Sequence, residues 1–149
     1  MTHTMTKLKL HTFLLALLSL AGTAAAWAAE PLPPDQAFKL KVSFRGPNTV
    51  IAELAPAPEH YLYKSKIIFA LKNASGVTIR QVQLPAGEVK NDPNFGQMEV
   101  YHKPIKAEIA LDRTPTAKRL TLLARYQGCN EKLGVCYPPI DKSVDLVLP

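Results

Sequence analysis

Tryptophan and cysteine are nearly absent from this chain of 149 residues, which has one tryptophan, Trp27, and two cysteines, Cys129 and Cys136. The scarcity is informative. In antibody domains a disulfide between distant strands packs on a buried tryptophan; here Trp27 lies near the N-terminus, so that core staple is excluded. There is no C-x-x-C motif, so the thioredoxin route to a reactive thiol, a cysteine at a helix N-terminus, is closed. Beyond the first residues no apolar run approaches the roughly 20 residues that span a bilayer. No internal repeat and no convincing amphipathic helical pattern is present. Positive charge is modest, +6 for the whole chain. It is spread out, with no basic patch interleaved with aromatics, which reads as solvated surface and not as a nucleic-acid interface.

The N-terminus has the pattern of a secretory signal. Lys7, Lys9 and His11 form a basic start, Phe13 to Ala21 a short apolar core, and Ala24 to Ala29 a small-residue stretch in which Ala26 and Ala28 make an A-x-A cleavage site. The apolar core is short for a membrane span. No cysteine follows it, which argues against a lipoprotein. Residues 1–28 are therefore expected to be removed on export, leaving residues 29–149 as one domain that closes at Pro149. About 120 residues suffice for a real core.

Within that domain, residues 29–36 are proline-rich and read as a loose leader. Short runs with period two follow, which is a strand signal. Phe38, Leu40, Val42 and Phe44 alternate with polar residues, then Val50, Ala52 and Leu54 do the same. Tyr61 to Leu71 is a longer run of mixed periodicity. Val77, Ile79 and Val82 belong to another strand. Residues 90–97 read as a polar loop holding one aromatic, Phe95. Ile105 to Leu111, Leu120 to Tyr126 and Val144 to Leu148 complete the pattern. About eight strands separated by Gly, Pro and Asn turns suit an all-β, antiparallel β-sandwich.

The two cysteines stand in Tyr126-Gln127-Gly128-Cys129-Asn130-Glu131-Lys132-Leu133-Gly134-Val135-Cys136-Tyr137-Pro138-Pro139. Three roles are open to them. In an oxidising compartment they can be a local staple, which for so short a loop adds only about 2.5 kcal/mol in the chain-entropy model. Across a hairpin, near a sheet edge, they can be a disulfide open to attack by an incoming thiolate. On ligand type alone, two thiolates with His60, His102 or Met98 could hold Cu(I) or zinc, although the histidines are isolated and form no ligand-spacing motif. His60 and His102 read as ordinary surface or strand residues.

Several pieces of the chain, in order, resemble the N-terminal periplasmic domain of the thiol:disulfide interchange protein DsbD. They are Pro34-Asp35-Gln36-Ala37-Phe38, His60-Tyr61-Leu62-Tyr63-Lys64-Ser65-Lys66-Ile67, Val82-Gln83-Leu84-Pro85-Ala86-Gly87, Phe95-Gly96 with Glu99-Val100-Tyr101, and the Y-Q-G-C and C-Y-P-P pieces around Cys129 and Cys136. Single pieces are weakly specific. The tyrosine-rich piece and the cysteine piece together are strongly so.

The resemblance implies an immunoglobulin-like sandwich carrying a reversible Cys129–Cys136 disulfide, with protein-disulfide reductase-type exchange and no cofactor. It implies a periplasmic relay in a Gram-negative-type envelope. Electrons arrive from a thioredoxin-like donor, expected in trans because the resemblance covers the sandwich domain alone, with a membrane thiol transporter behind it. They leave to thioredoxin-fold acceptors such as disulfide isomerases and cytochrome c maturation proteins. By the same resemblance, Cys136 forms the mixed disulfide and Cys129 resolves it. A cap loop, here Asp92 to Gly96, covers the bond, and Tyr61 and Tyr63 border it. Tyr137 is expected to pack locally. The rival reading is a non-catalytic binding module that uses the bond as a staple. Two departures stand out. Six residues separate the cysteines where the family pattern has five, and the extra one is expected to be absorbed as a bulge. Pro93 and Asn94 occupy cap positions where an acidic and an aromatic residue are expected, so either Phe95 serves as the cap by a one-residue shift or the shielding of the bond is weaker.

Overall fold

Alternation of apolar and polar residues builds nearly every element. The computed structural model describes residues 29–149; the secretory leader read at residues 1–28 lies outside the described residues. One helical turn, α1 (Pro34–Ala37), precedes twelve strands: β1 (Phe38–Phe44), β2 (Thr49–Pro56), β3 (His60–Tyr63), β4 (Ile68–Lys72), β5 (Val77–Gln83), β6 (Glu88–Asp92), β7 (Gly96–Tyr101), β8 (Ile105–Arg113), β9 (Arg119–Tyr126), β10 (Gly128–Asn130), β11 (Val135–Cys136) and β12 (Ile140–Val147). A 3-10 turn, Lys64–Lys66, separates β3 from β4.

The strands form an immunoglobulin-like antiparallel sandwich. One layer has the order β1-β2-β8-β5. The other is a sheet bent in the middle. Its lower half runs β12-β9-β4 and its upper half runs β11-β10-β3-β7-β6. The same three chain segments appear in the same order in both halves. The break comes where the 3-10 turn, Gln127, and Tyr137-Pro138-Pro139 interrupt the ladders, the two prolines having no amide hydrogen to donate. Cys129 and Cys136 thus sit toward the tip of one long hairpin that bends away from the main sheet.

Between the layers lies the core, with Phe38, Val50, Leu54, Leu62, Ile109, Leu111, Leu120, Leu122 and Tyr126 almost completely buried. β2 shows the plainest alternation, with Val50, Ala52 and Leu54 inward and their neighbours half-buried. A second, small cluster lies apart from this core and contains Tyr61, Tyr63, Val100 and Cys129, with Met98 and Cys136 against it.

Several sequence expectations change. The stretch 29–36 is not loose throughout: Pro34 starts α1 at a position where proline is favoured, Ala37 is buried, and the Leu32 carbonyl accepts a hydrogen bond from the Tyr137 hydroxyl at 2.8 Å. The run Tyr61 to Leu71 is two strands in two halves of the bent sheet. All four residues of β3 are buried, because Leu62 faces the main core while Tyr61 and Tyr63 face the small cluster. Burial on both faces erased the alternation. The polar loop at 90–97 is a hairpin, β6 and β7, in register from Glu88 opposite Val100 to Asp92 opposite Gly96.

Candidate functional site

Cys129 and Cys136 face each other directly across β10 and β11, and Asn130 faces Val135. The register is unbroken, so the extra residue makes no bulge. It goes into the four-residue turn Glu131 to Gly134, which the Asn130 side chain closes by accepting a hydrogen bond from the Leu133 amide at 2.9 Å. The Tyr137 amide donates to the Gly128 carbonyl at 3.0 Å, which makes the cysteines a non-hydrogen-bonded pair, the closer of the two kinds in an antiparallel ladder. Their Cα atoms are 3.9 Å apart and the sulfurs are bonded.

The two sulfurs are not equivalent. Cys129 is 2 % exposed, whereas Cys136 is half-buried; both line a small cleft of about 150 Å³ with Tyr61, Lys90, Pro93, Asn94 and Glu131. Cys136 offers the larger surface to an incoming group.

Beneath the bond lies a carboxylate that holds two phenols and a loop together. Tyr61 and Tyr63 are two apart on β3 and so point the same way. Both hydroxyls donate to Asp92 Oδ2, at 2.5 and 2.7 Å. The Tyr63 oxygen also lies 3.0 Å from Cys129 Sγ and 3.7 Å from Cys136 Sγ. The other oxygen, Asp92 Oδ1, accepts the backbone amides of Asn94 at 2.8 Å and Phe95 at 3.1 Å. Asp92 at the start of a turn, Pro93 next and Gly96 with φ +74° at its end are the residues a tight three-residue hairpin loop asks for. The sequence Asp92-Pro93-Asn94-Phe95-Gly96 therefore fixes the cap loop locally.

Burial alone pushes the Asp92 carboxyl up, but the hydrogen bonds from Tyr61, Tyr63, Asn94 and Phe95 outweigh it and hold it below the usual carboxylate range. Burial, aided by the hydrogen bond to Asp92, pushes the Tyr61 phenol up to about 12. Burial first, then its bonds to Tyr61 and Asp92, holds Tyr63 well above an ordinary phenol. At neutral pH the site thus contains one buried carboxylate and two neutral phenols.

Asp92 gives a pH test. A carboxyl depressed by folding stabilises the native state above its ordinary value of 3.8, and that contribution is lost as pH falls through the lower folded value. Asp92→Asn should cost about 2 kcal/mol at pH 7, the scale of hydrogen bonds to a charged group. The gap between the two proteins should narrow as pH drops below about 4. Urea denaturation from pH 7 to pH 2 measures it, and a gap that stays constant would show that the carboxylate charge is not what holds the cap.

The expected site residues do not all converge. Cys129, Cys136, Tyr61, Tyr63 and Asp92 come together, with Gly96 closing the loop above. Phe95 is 44 % exposed and stands edge-on to Tyr63, ring centres 5.2 Å apart, with Lys66 Nζ 4.9 Å from its ring centre. It covers the phenol, and the cap residue that touches Cys136 is Asn94, whose Nδ2 donates to Cys136 Sγ at 3.3 Å. Tyr137 points away into a cluster with Phe38 and His60. His60 is not a surface residue: it is buried, with Nδ1 2.8 Å from the Pro58 carbonyl and Nε2 3.3 Å from Asn130 Nδ2. Among the described residues, no group of three or more His, Cys, Asp or Glu side chains is arranged to hold a metal ion.

Sequence reasoning missed Asn94 as a sulfur contact, and also Lys90 and Glu131. These two form an ion pair that ties the cap hairpin to the cysteine hairpin. Glu131 Oε2 is also 3.5 Å from His102 Nε2, and Lys90 Nζ lies 5.1 Å from the Tyr61 ring centre. Only pairing in space reveals this link, since Lys90 and Glu131 are far apart in sequence.

The chain is similar to several known proteins. The sequence profile of the family "Thiol:disulfide interchange protein DsbD, N-terminal" matches residues 28–148. The chain is 34 % identical over 151 residues to thiol:disulfide interchange protein DsbD 1 of Pseudomonas aeruginosa, covering 93 % of this chain and 25 % of the relative. It is 36 % identical over 145 residues to DsbD of Neisseria meningitidis serogroup A, covering 93 % and 22 %. The chain thus spans about a quarter or less of the length of these relatives. Among solved structures, the reduced N-terminal domain of Neisseria meningitidis DsbD superposes with a TM-score of 0.68 at 31 % identity, covering 78 % of this chain and 89 % of that one. The complex of the DsbD and PilB N-terminal domains from the same organism gives 0.64 at 30 % identity, covering 79 % and 88 %.

Proposed function

The chain belongs to the family of DsbD N-terminal domains, and from that premise we propose that it relays electrons between thioredoxin-fold proteins in the periplasm by reversible exchange at Cys129–Cys136. Residues 1–28 act as the export signal and residues 29–149 as the working domain. A thioredoxin-like donor supplies the electrons and thioredoxin-fold proteins accept them. That the related Neisseria domain forms a complex with a PilB N-terminal domain supports a protein partner for this chain. The observation that carries the reading is the unequal burial of the two cysteines, Cys129 almost fully enclosed and Cys136 half-buried, beside a cleft that both line.

In the reductive half-reaction a donor thiolate attacks Cys136 Sγ. The donor–Cys136 bond forms, the Cys129–Cys136 bond breaks, and its electron pair leaves on Cys129 Sγ. Tyr63, 3.0 Å away, turns its hydroxyl from Asp92 to that thiolate as it forms. The second donor thiol then attacks its own mixed disulfide and releases Cys136 as a thiolate. Two electrons have moved, the donor is oxidised, and protons from solvent complete the dithiol. Toward an acceptor the steps reverse: Cys136 thiolate attacks the acceptor disulfide, and Cys129 thiolate attacks Cys136 Sγ to expel the reduced acceptor. No cofactor enters either half.

Mixing the oxidised chain with reduced thioredoxin and counting free thiols by maleimide gel shift tests this reading. Both cysteines should become reactive while the fold persists. A bond that resists the donor and opens only under denaturing conditions would instead make it a staple in a binding module.

A further inference from the structure

We propose that Asn94 is a catalytic hydrogen-bond donor to Cys136, holding the sulfur as the thiolate that attacks an acceptor. This rests on the exchange reading and names a residue for it. The contact is direct, Asn94 Nδ2 to Cys136 Sγ at 3.3 Å. Its aim is fixed from behind, because the Asn94 amide is held by Asp92 Oδ1 at 2.8 Å in a loop that Pro93 stiffens. The side chain has few other tasks. It is exposed and packs into neither hydrophobic cluster.

The chemistry gives such a donor work. A thiolate next to apolar surface is disfavoured unless something pairs with it. Here no helix N-terminus points at the sulfur. The groups around it are Tyr63 and Asp92 below, and Tyr61, Lys90 and Glu131 along the cleft. Asp92 carries a buried negative charge, which opposes a second one nearby. Lys90 is engaged with Glu131. The Tyr63 hydroxyl, 3.7 Å from Cys136 Sγ, donates to Asp92 and lies closer to Cys129, so the Asn94 side-chain amide at 3.3 Å is the nearer donor to Cys136 and the uncommitted one. A hydrogen bond favours the charged form of the group that accepts it.

The test uses the Cys129→Ser chain, in which Cys136 is the sole thiol, and follows the rate of its alkylation by iodoacetamide from pH 6 to 11. Asn94→Ala should move the pH midpoint up by about one unit, the size of one hydrogen bond to a charged group. Because a more basic thiolate is also a better nucleophile, the rate at neutral pH should fall only about threefold, while the plateau at high pH rises by about threefold. Asn94→Asp, nearly isosteric, should move the midpoint further in the same direction. This crossing of the two profiles is a signature that loss of a mere cover would not produce, since an opened cover speeds alkylation at every pH. An unmoved midpoint, or a uniform rise in rate, overturns the proposal. The same shift measured on the fully reduced native chain guards against a folding defect in Cys129→Ser. The readout needs no partner. If the midpoint moves while thioredoxin fails to reduce the native bond, the hydrogen bond from Asn94 to the Cys136 thiolate stands, and the relay reading falls together with the catalytic role of that bond.

Discussion

Replacing Cys129 with Ser should convert a transient mixed disulfide into a stable one. The variant keeps Cys136, the less buried of the two cysteines, but removes the sulfur of this chain that would expel the partner. Incubated with a thioredoxin-fold acceptor whose own resolving cysteine is replaced by serine and whose remaining cysteine is activated as a mixed disulfide with thionitrobenzoate, it should release thionitrobenzoate and accumulate a covalent, reductant-sensitive complex approaching one to one, where the reduced native chain leaves almost none. The reciprocal variant, Cys136→Ser, should give little complex, because its remaining thiol is buried under Tyr63 and the opposite strand. The pair of outcomes is read on a non-reducing gel. Equal trapping by both variants would mean that the difference in burial does not choose the attacking sulfur. Absence of trapping by either would remove the exchange chemistry itself.

Gly128→Ala should cause a loss of stability of comparable importance. Gly128 precedes Cys129 and pairs with Leu62 on β3. A Cβ placed there would sit 2.2 Å from the Tyr61 carbonyl oxygen and 2.7 Å from two ring carbons of Phe38. Neither neighbour can step aside. The oxygen belongs to the backbone of the adjoining strand, and Phe38 is wedged edge-on between His60 and Tyr137. Glycine in a strand interior often marks such a close approach. Overpacking a dense core costs about 1–3 kcal/mol, and a clash with backbone lies at the upper end, about 3 kcal/mol, or on the order of 10 °C in melting temperature for a chain of this size. Urea and thermal denaturation of the oxidised protein measure it. A loss under about 1 kcal/mol would show that β3 and β10 can separate there freely.

This glycine also shows how far the sequence can be read. The Y-Q-G-C piece stood out as a motif, but its reason is a contact with Tyr61 and Phe38 that no local pattern reveals. The sandwich was legible because β2, β8 and β9 each have one face in the core, so period two survives in Val50-Ala52-Leu54 and in Leu120-Leu122-Ala124. It failed where that condition fails. β3 is buried on both faces and shows no alternation. β6 is largely exposed, Val89 being 68 % exposed, so its polar residues read as loop. Of the site, the two cysteines, the paired tyrosines and Asp92 could be singled out from resemblance. The replacement of an aromatic by Asn94 looked like a weakened cap, because sequence gives residue type but not the 3.3 Å approach of an amide to sulfur. The six-residue spacing looked like a bulge, since chain length alone cannot say whether a turn or a strand absorbs an extra residue.

The closeness of the two cysteines along the chain has an energetic consequence. Folding and oxidation are linked equilibria: whatever a disulfide adds to the stability of the fold, the fold returns as resistance to reduction. A bond between distant strands would make every electron delivery work against a large part of the folding free energy. This bond closes a loop only seven residues in span, so the linkage is limited to about 2.5 kcal/mol. It also sits in its own small cluster, apart from the main core. Under the proposed exchange, each change of redox state alters the stability by about 2.5 kcal/mol, roughly half of the about 4.7 kcal/mol that a 100-residue loop would impose. The proposed exchange site and the main core occupy separate parts of one chain.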